Sequence, residues 1–204
     1  LALLGWSPGD DVENITMEEL VQLFTVERVN SSPARFDMKK LEAINGDKIR
    51  ALTIDDFLSR ALPFLLKDGV IQGSDEEIAI VKSALPIIQE RIARMNEVTA
   101  MLKFLFVEEV IFDSESETKV KEEPSQHVIS QALSALENVN DWKHDVIESA
   151  LRAVLIEKLG LKPRLAFGPV RIAVTGSHIS PPLFESMELL GKARSLARLK
   201  AAVH

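Results

Sequence analysis

The chain has 204 residues, 46% hydrophobic and 27% charged, with nine Gly and nine Pro, a balance that excludes collagen-like, fibrous and low-complexity classes. Its apolar runs, such as 170–174 interrupted by Arg171, fall short of the roughly 20 residues a membrane helix needs, and no charged-then-apolar leader opens the chain. Cysteine is absent, which removes disulfides and thiolate chemistry and fits a reducing compartment. The net charge of −7 is uneven: residues 1–60 carry −4, 61–124 carry −6 and 125–204 carry +3, and from Lys158 onward eight Lys or Arg face two Glu. Such a basic tail is either a surface for an anion such as a phosphate backbone or a solvated helix face.

In chain order, three helix starts are written out. Thr16-Met17-Glu18-Glu19, Thr53-Ile54-Asp55-Asp56 and Ser74-Asp75-Glu76-Glu77 each place a hydroxyl at an N-cap with carboxylates in the first turn. These acid pairs are read as cap charges, because adjacent helical residues diverge by about 100° and do not face one substrate. A softer break is predicted at Leu62-Pro63, since the residue before Pro is pushed out of helical geometry. Ile78, Val81, Leu85, Ile88, Ile92 and Met95 step by three and four, a helical stripe, with Pro86 inside it predicting a kink or restart. The stretch 113–124, DSESETKVKEEP, holds a single apolar residue, Val120, and reads as a solvated linker. Val146 to Leu159 repeats the helical stripe, closed by Gly160. Residues 170–175 suit a strand by composition, but a lone strand has no partner, and Pro169 before with Gly176 after suit a short helix. The expectation is an all-α chain of consecutive small helical bundles.

No constellation for chemistry emerges. The four histidines, His127, His144, His178 and His204, are 17, 34 and 26 residues apart, so no ligand pair at helical spacing exists, and no metal site is predicted. Ser177-His178 lacks a nucleophile-elbow context, and the glycines match no phosphate-cradling spacing. What stands out is a stiff polar segment, 171–184, in the basic tail. Pro181 and Pro182 fix φ there, Ser180 can cap a following helix and Gly176 permits a tight turn. By itself this is either a ligand-facing corner or a turn between two helices.

Three ordered motifs then carry a resemblance: LALLGWS at 1–7, FDMKKLEAINGDKIR at 36–50, and VRIAVTG at 170–176 with SPPLFE at 180–185 and ELLGK at 188–192. Together they resemble the C-terminal half of a bacterial-type glutamyl-tRNA synthetase. The resemblance implies a piece of a longer protein, in keeping with Leu1 in place of Met, whose catalytic half with its two ATP signatures is not in this sequence. It implies a stem-contact helical region at 1–62, an anticodon-binding helical subdomain at 63–115, a linker at 116–121 and a second anticodon-binding subdomain at 122–204. It also implies a chain with no catalytic residues or cofactor of its own, while the whole enzyme attaches glutamate to its tRNA using ATP and Mg in the cytoplasm.

Readout of unstacked anticodon bases uses Arg planes, fixed backbone groups and small apolar walls, and with no Tyr and two Trp this chain must rely on Arg, Pro and Leu. By resemblance, Arg171, Ser180, Pro181 and Leu183 meet anticodon bases. Arg91 or Arg94, three apart on one predicted helix, reads the first position or else pairs with Glu90 or Glu97. Lys39, Lys40, Lys48 and Arg50 are implied as backbone contacts to the tRNA stem, although Lys39 and Lys40 cannot share one helical face. The expected partners are glutamate tRNA and the protein's own catalytic domain, with the chain a monomer that binds neither DNA nor membrane. The alternative is a helical protein-interaction module with a basic C-terminal docking face.

Overall fold

Each predicted N-cap closes a helix in the computed structural model, which describes residues 5–9, 15–30 and 37–203; the LALL of the first motif and Phe36 lie outside the described residues. Thr16 and Ser74 make capping boxes with Glu19 and Glu77, at the heads of α1 (Met17–Leu23) and α4 (Asp75–Gln89). Thr53 accepts from the Asp56 amide at the head of α3 (Ile54–Lys67). Between them α2 (Met38–Arg50) begins on Asp37, whose carboxylate accepts from the Lys39 and Lys40 amides. The chain continues through α5 (Glu97–Leu102), α6 (Ser114–Lys121), α7 (Glu123–Glu137), α8 (His144–Leu151), α9 (Pro163–Thr175), α10 (Leu183–Leu190) and α11 (Lys192–Ala202). Among the described residues the extended pairing is a single isolated bridge, Trp6 to Val29, so the all-α expectation holds.

Four local expectations need correction. Neither Pro63 nor Pro86 breaks its helix: α3 runs through the first and α4 through the second. Both prolines are exposed, as are Ser59 and Lys82 one turn earlier, so the carbonyls left without a donor belong to residues that water can reach. The stripe beginning at Ile78 ends instead at Gln89, and Arg91 to Asn96 form an irregular turn. The predicted linker, 116–121, is helical: it belongs to α6, which buries Ser116 at 0% and Val120 at 2% exposure against α7 and α9. Asp113 caps it, and Glu115–Lys119 and Glu117–Lys121 ion pairs line its outer face, so local electrostatics make a helix where hydrophobicity suggested none.

Residues 170–175 are helical, but α9 begins at Pro163, and Pro169 sits inside it. The stripe from Val146 widens to π winding over Arg152–Lys158 before Gly160 turns the chain at φ +67°. One apolar cluster runs from Ile49 to Ala202 across both groups of helices, with Phe57, Leu85, Ile129, Leu151 and Met187 among its fully buried members. α4 meets α10 across the join, and the Trp142 indole donates to the Met187 carbonyl at 2.8 Å, fixing the α7–α8 connection onto α10.

Candidate functional site

The sharpest feature of the basic tail is the corner between α9 and α10. Gly176 ends α9 at φ +85°, and a Cβ there would stand 2.6 Å from the Ile111 carbonyl oxygen, so both the backbone and the space demand glycine. The chain then turns through 177–182. Arg171, one turn before the end of α9, reaches across this corner: its Nη1 donates to the Ser180 hydroxyl at 2.9 Å and to the Pro181 carbonyl at 2.7 Å. Its Nε and Nη2 have no partner among the described residues. Burial lowers the Arg171 pKa, the positive charge of Arg91 adds to this, and Glu185 opposes it. The result is a half-buried guanidinium held in one orientation by neutral acceptors, with its charge intact and two N–H faces to offer.

The other residues implied at this corner play supporting parts. Ser180 is buried and accepts from Arg171; it does not cap α10, whose N-cap is Pro182 without a side-chain bond. Leu183 is 2% exposed and belongs to the apolar core beneath the corner. Pro181 contributes its carbonyl.

Arg91 and Arg94 do not share a helix, because α4 ends before both, and the turn that follows separates them. Arg94 takes the expected pairing with Glu97, at 3.0 Å, and also meets Glu42 of α2 at 3.4 Å; these carboxylates raise its pKa. Arg91 is exposed, and its side chain has no hydrogen bond or ion pair among the described residues, its backbone amide donating to the Ile88 carbonyl. It is the arginine of this pair that faces Arg171 electrostatically. In α2, Lys39, Lys40, Lys48 and Arg50 are all exposed. Arg50 is tied to Asp47 at 2.5 Å.

A groove of about 940 Å³ opens beside the corner, between α6–α7 and α9. Arg171, Arg164 and Lys119 line it together with Glu122, the histidines His127 and His178, and the exposed Leu165. Sequence reasoning missed it, since its walls come from stretches some 50 residues apart that only packing unites. The aromatic Phe167 lines it too, set edge-on to Phe184 at 5.3 Å with the Arg152 guanidinium 5.6 Å from its ring centre. Ser177 and His178 face Asp113, whose carboxyl is held below its usual range chiefly by the Ser116 amide that it caps. Among the described residues no three His, Asp or Glu side chains gather as a metal site, and no helix is long and apolar enough to cross a membrane.

The described residues thus form an all-helical domain in which an arginine held by neutral groups stands beside a groove lined by Arg164, Lys119 and Glu122. Residues 56–203 match the family described as anticodon binding domain, and the chain belongs to that family. It is 46% identical over 204 residues to the glutamate–tRNA ligase of Saccharopolyspora erythraea, covering 98% of this chain and 41% of that protein. It is 48% identical over 207 residues to that of Nocardioides sp., covering 100% and 42%. A crystal structure of a glutamate tRNA ligase from Elizabethkingia meningosepticum shares the fold with a TM-score of 0.77 at 23% identity, over 99% of this chain and 39% of that one. The chain thus spans about two fifths of the length of these relatives.

Proposed function

We propose that this chain is the tRNA-recognition part of a glutamate–tRNA ligase, and that the α9–α10 corner reads anticodon bases. The observation that carries the reading is Arg171. Its Nη1 is fixed by Ser180 and Pro181 while Nε and Nη2 stay open, the arrangement that bidentate recognition of a base edge or a phosphate needs. Family membership and relatives at 46–48% identity support it. Arg91, unpaired and near Arg171, replaces Arg94 as the second anticodon contact. The exposed lysines of α2 serve as phosphate contacts that position the stem without reading it. Residues 63–115 and 122–204 act as the two anticodon-binding parts, behind a stem-contact region at 1–62.

ATP and magnesium, which such a ligase uses, belong in this reading to the longer protein, and no step through them is assigned to this chain. Ligation belongs to the longer protein, which we place in the cytoplasm as a monomer. The exposed apolar side chains Met17, Val21, Val26 and Met38 favour a contact of α1–α2 with that protein's catalytic part. The test is fluorescence anisotropy of the 204-residue chain with an unmodified glutamate tRNA. The reading expects a slope of log affinity against log salt of roughly 0.7–0.9 per neutralised phosphate and a preference for the native anticodon that Arg171→Ala abolishes. Binding without anticodon preference would overturn the site; no binding at any salt would overturn the function of this chain.

A further inference from the structure

The last helix carries a charge that recognition at the corner does not use. Arg198 of α11 is 4% exposed and has no carboxylate among its partners in the described residues. Its Nη1 donates to the Val174 carbonyl of α9 at 2.7 Å. Its Nη2 donates to the carbonyls of Phe104 at 2.8 Å and Val107 at 2.6 Å, beyond α5. Its Nε has no partner. One turn earlier, the exposed Arg194 donates to the Leu105 and Val107 carbonyls at 2.9 and 2.8 Å. Two guanidinium groups from one helix therefore hold three carbonyls, those of Phe104, Leu105 and Val107, at the end of the 3-10 turn Lys103–Leu105, and one of them also holds the helix that carries Arg171.

The cost of this arrangement shows that it is not simply core packing. A cation buried without an anion loses hydration that carbonyl dipoles replace only in part, and an apolar side chain of similar volume often serves stability as well or better. Burial pushes the Arg198 pKa down to about 10, with the charge of Arg194 adding to the shift, so it remains charged at neutral pH. What an apolar replacement would not supply is direction: the fork fixes where each carbonyl sits. The segment it fixes leads back through α5 to the turn bearing Arg91, while Val174 lies three residues after Arg171. At the same join the Gly176 backbone comes so near the Ile111 carbonyl that no side chain fits between them, beside a small pocket of about 220 Å³ lined by Phe104, Val107 and Arg198.

Resting on the tRNA-recognition reading, we infer that Arg198 and Arg194 are positioning residues for anticodon specificity: they hold segment 104–107 against α9 so that the Arg91 turn and the Arg171 corner face one RNA loop at a fixed spacing. Loss of the clamp lets the two arginines bind phosphate independently. It takes away their agreement on a particular set of bases, since specificity depends on both contacts being met at once.

The cysteine-free chain makes the test direct. Nitroxide labels on Ser83→Cys in α4 and Ala201→Cys in α11, both exposed positions, report the spacing of the two halves by pulsed dipolar spectroscopy. Anisotropy with hairpins bearing the native or a substituted anticodon reports specificity. The clamp predicts one narrow distance distribution in the parent chain, broadened by Arg194→Met and more by Arg198→Met. Arg198→Lys, a point charge without the fork, fails to restore it. It predicts that the native-to-substituted affinity ratio falls about fivefold or more while affinity for a random-loop hairpin stays within about twofold. Arg194 is exposed, so its variant decides the matter if Arg198→Met does not fold. Unchanged distances and ratios in Arg194→Met overturn the clamp, as does an equal loss of affinity for every hairpin, which is what a purely structural role would give. A parent chain with no anticodon preference overturns the recognition reading and the positioning role with it, while the distance measurement still shows whether the arginines fix the join.

Discussion

Two arginine-bearing regions of the molecule put similar side chains to different uses. At the α9–α10 corner Arg171 is held by a hydroxyl and a carbonyl, which orient it without neutralising it. In the turn after α4, Arg94 is held by Glu97 and Glu42, which orient it and cancel its charge. The difference teaches that the partner decides whether a cation is available: neutral acceptors leave the field and the spare donors for a ligand, whereas carboxylates take both. The same rule places His144. It lies against Glu188, which also accepts from Lys143, so these charges are spent on joining α8 to α10.

The variant that sharpens this contrast most is Arg171→Ala. Removing a charged donor pair costs about 1.5–3 kcal/mol, so affinity for the native anticodon hairpin should fall roughly 10- to 100-fold, and Arg171→Lys should recover little of it because the fork is lost. Next comes Ser180→Ala. It leaves the charge and removes one of the two groups holding Nη1, with an expected loss of about 1 kcal/mol, a rise of near fivefold in Kd by the same anisotropy; an unchanged Kd would show that Pro181 suffices.

A thermal-melt series across pH 4–9 examines the carboxylate-held group. The Glu188 carboxyl is held down to about 2, first by the His144 amide and then by its ring, and this carboxylate in turn raises the His144 pKa. Because the folded Glu188 value lies below the unfolded one, its contribution is complete above about pH 4.5 and fades as pH falls toward 2. Because the folded His144 value lies above 6.5, its contribution is complete below that pH and is lost as pH rises through the higher folded value. Glu188→Gln should therefore lower the melting temperature most near pH 5–6 and flatten the decline above pH 6.5. A parallel offset at all pH values would show that charge is not involved. The smallest expected effect is that of Arg94→Ala. Its charge is already matched by Glu97 and Glu42 on an exposed surface, so RNA affinity should stay within about twofold; a loss approaching that of Arg171→Ala would erase the distinction between the two regions.

Much of this was legible in advance where the cause is local. The caps at Thr16, Thr53 and Ser74 depend on a side chain and an amide three residues away, and the stripe through Val81, Leu85 and Ile88 depends on helical period alone. The prolines were misread because their effect depends on which way the freed carbonyl points, and that is set by the face the helix buries. Segment 113–121 was misread because a low apolar content excludes a core but not a capped, ion-paired helix that contributes two residues to one.

The site divides in the same manner. Residue identity and spacing in the sequence determined that the chain is helical, that its basic charge gathers at the end, and that 171–184 is stiff, because backbone preference and charge are properties of short stretches. Only the tertiary structure decided which arginines stay available. Whether Arg171 meets Ser180 or a carboxylate, whether Arg94 finds Glu42 52 residues away, and whether Arg198 is buried among carbonyls 91 to 94 residues distant depend on long-range packing. The energy of a charge is set by whatever surrounds it in space, and sequence separation does not carry that information.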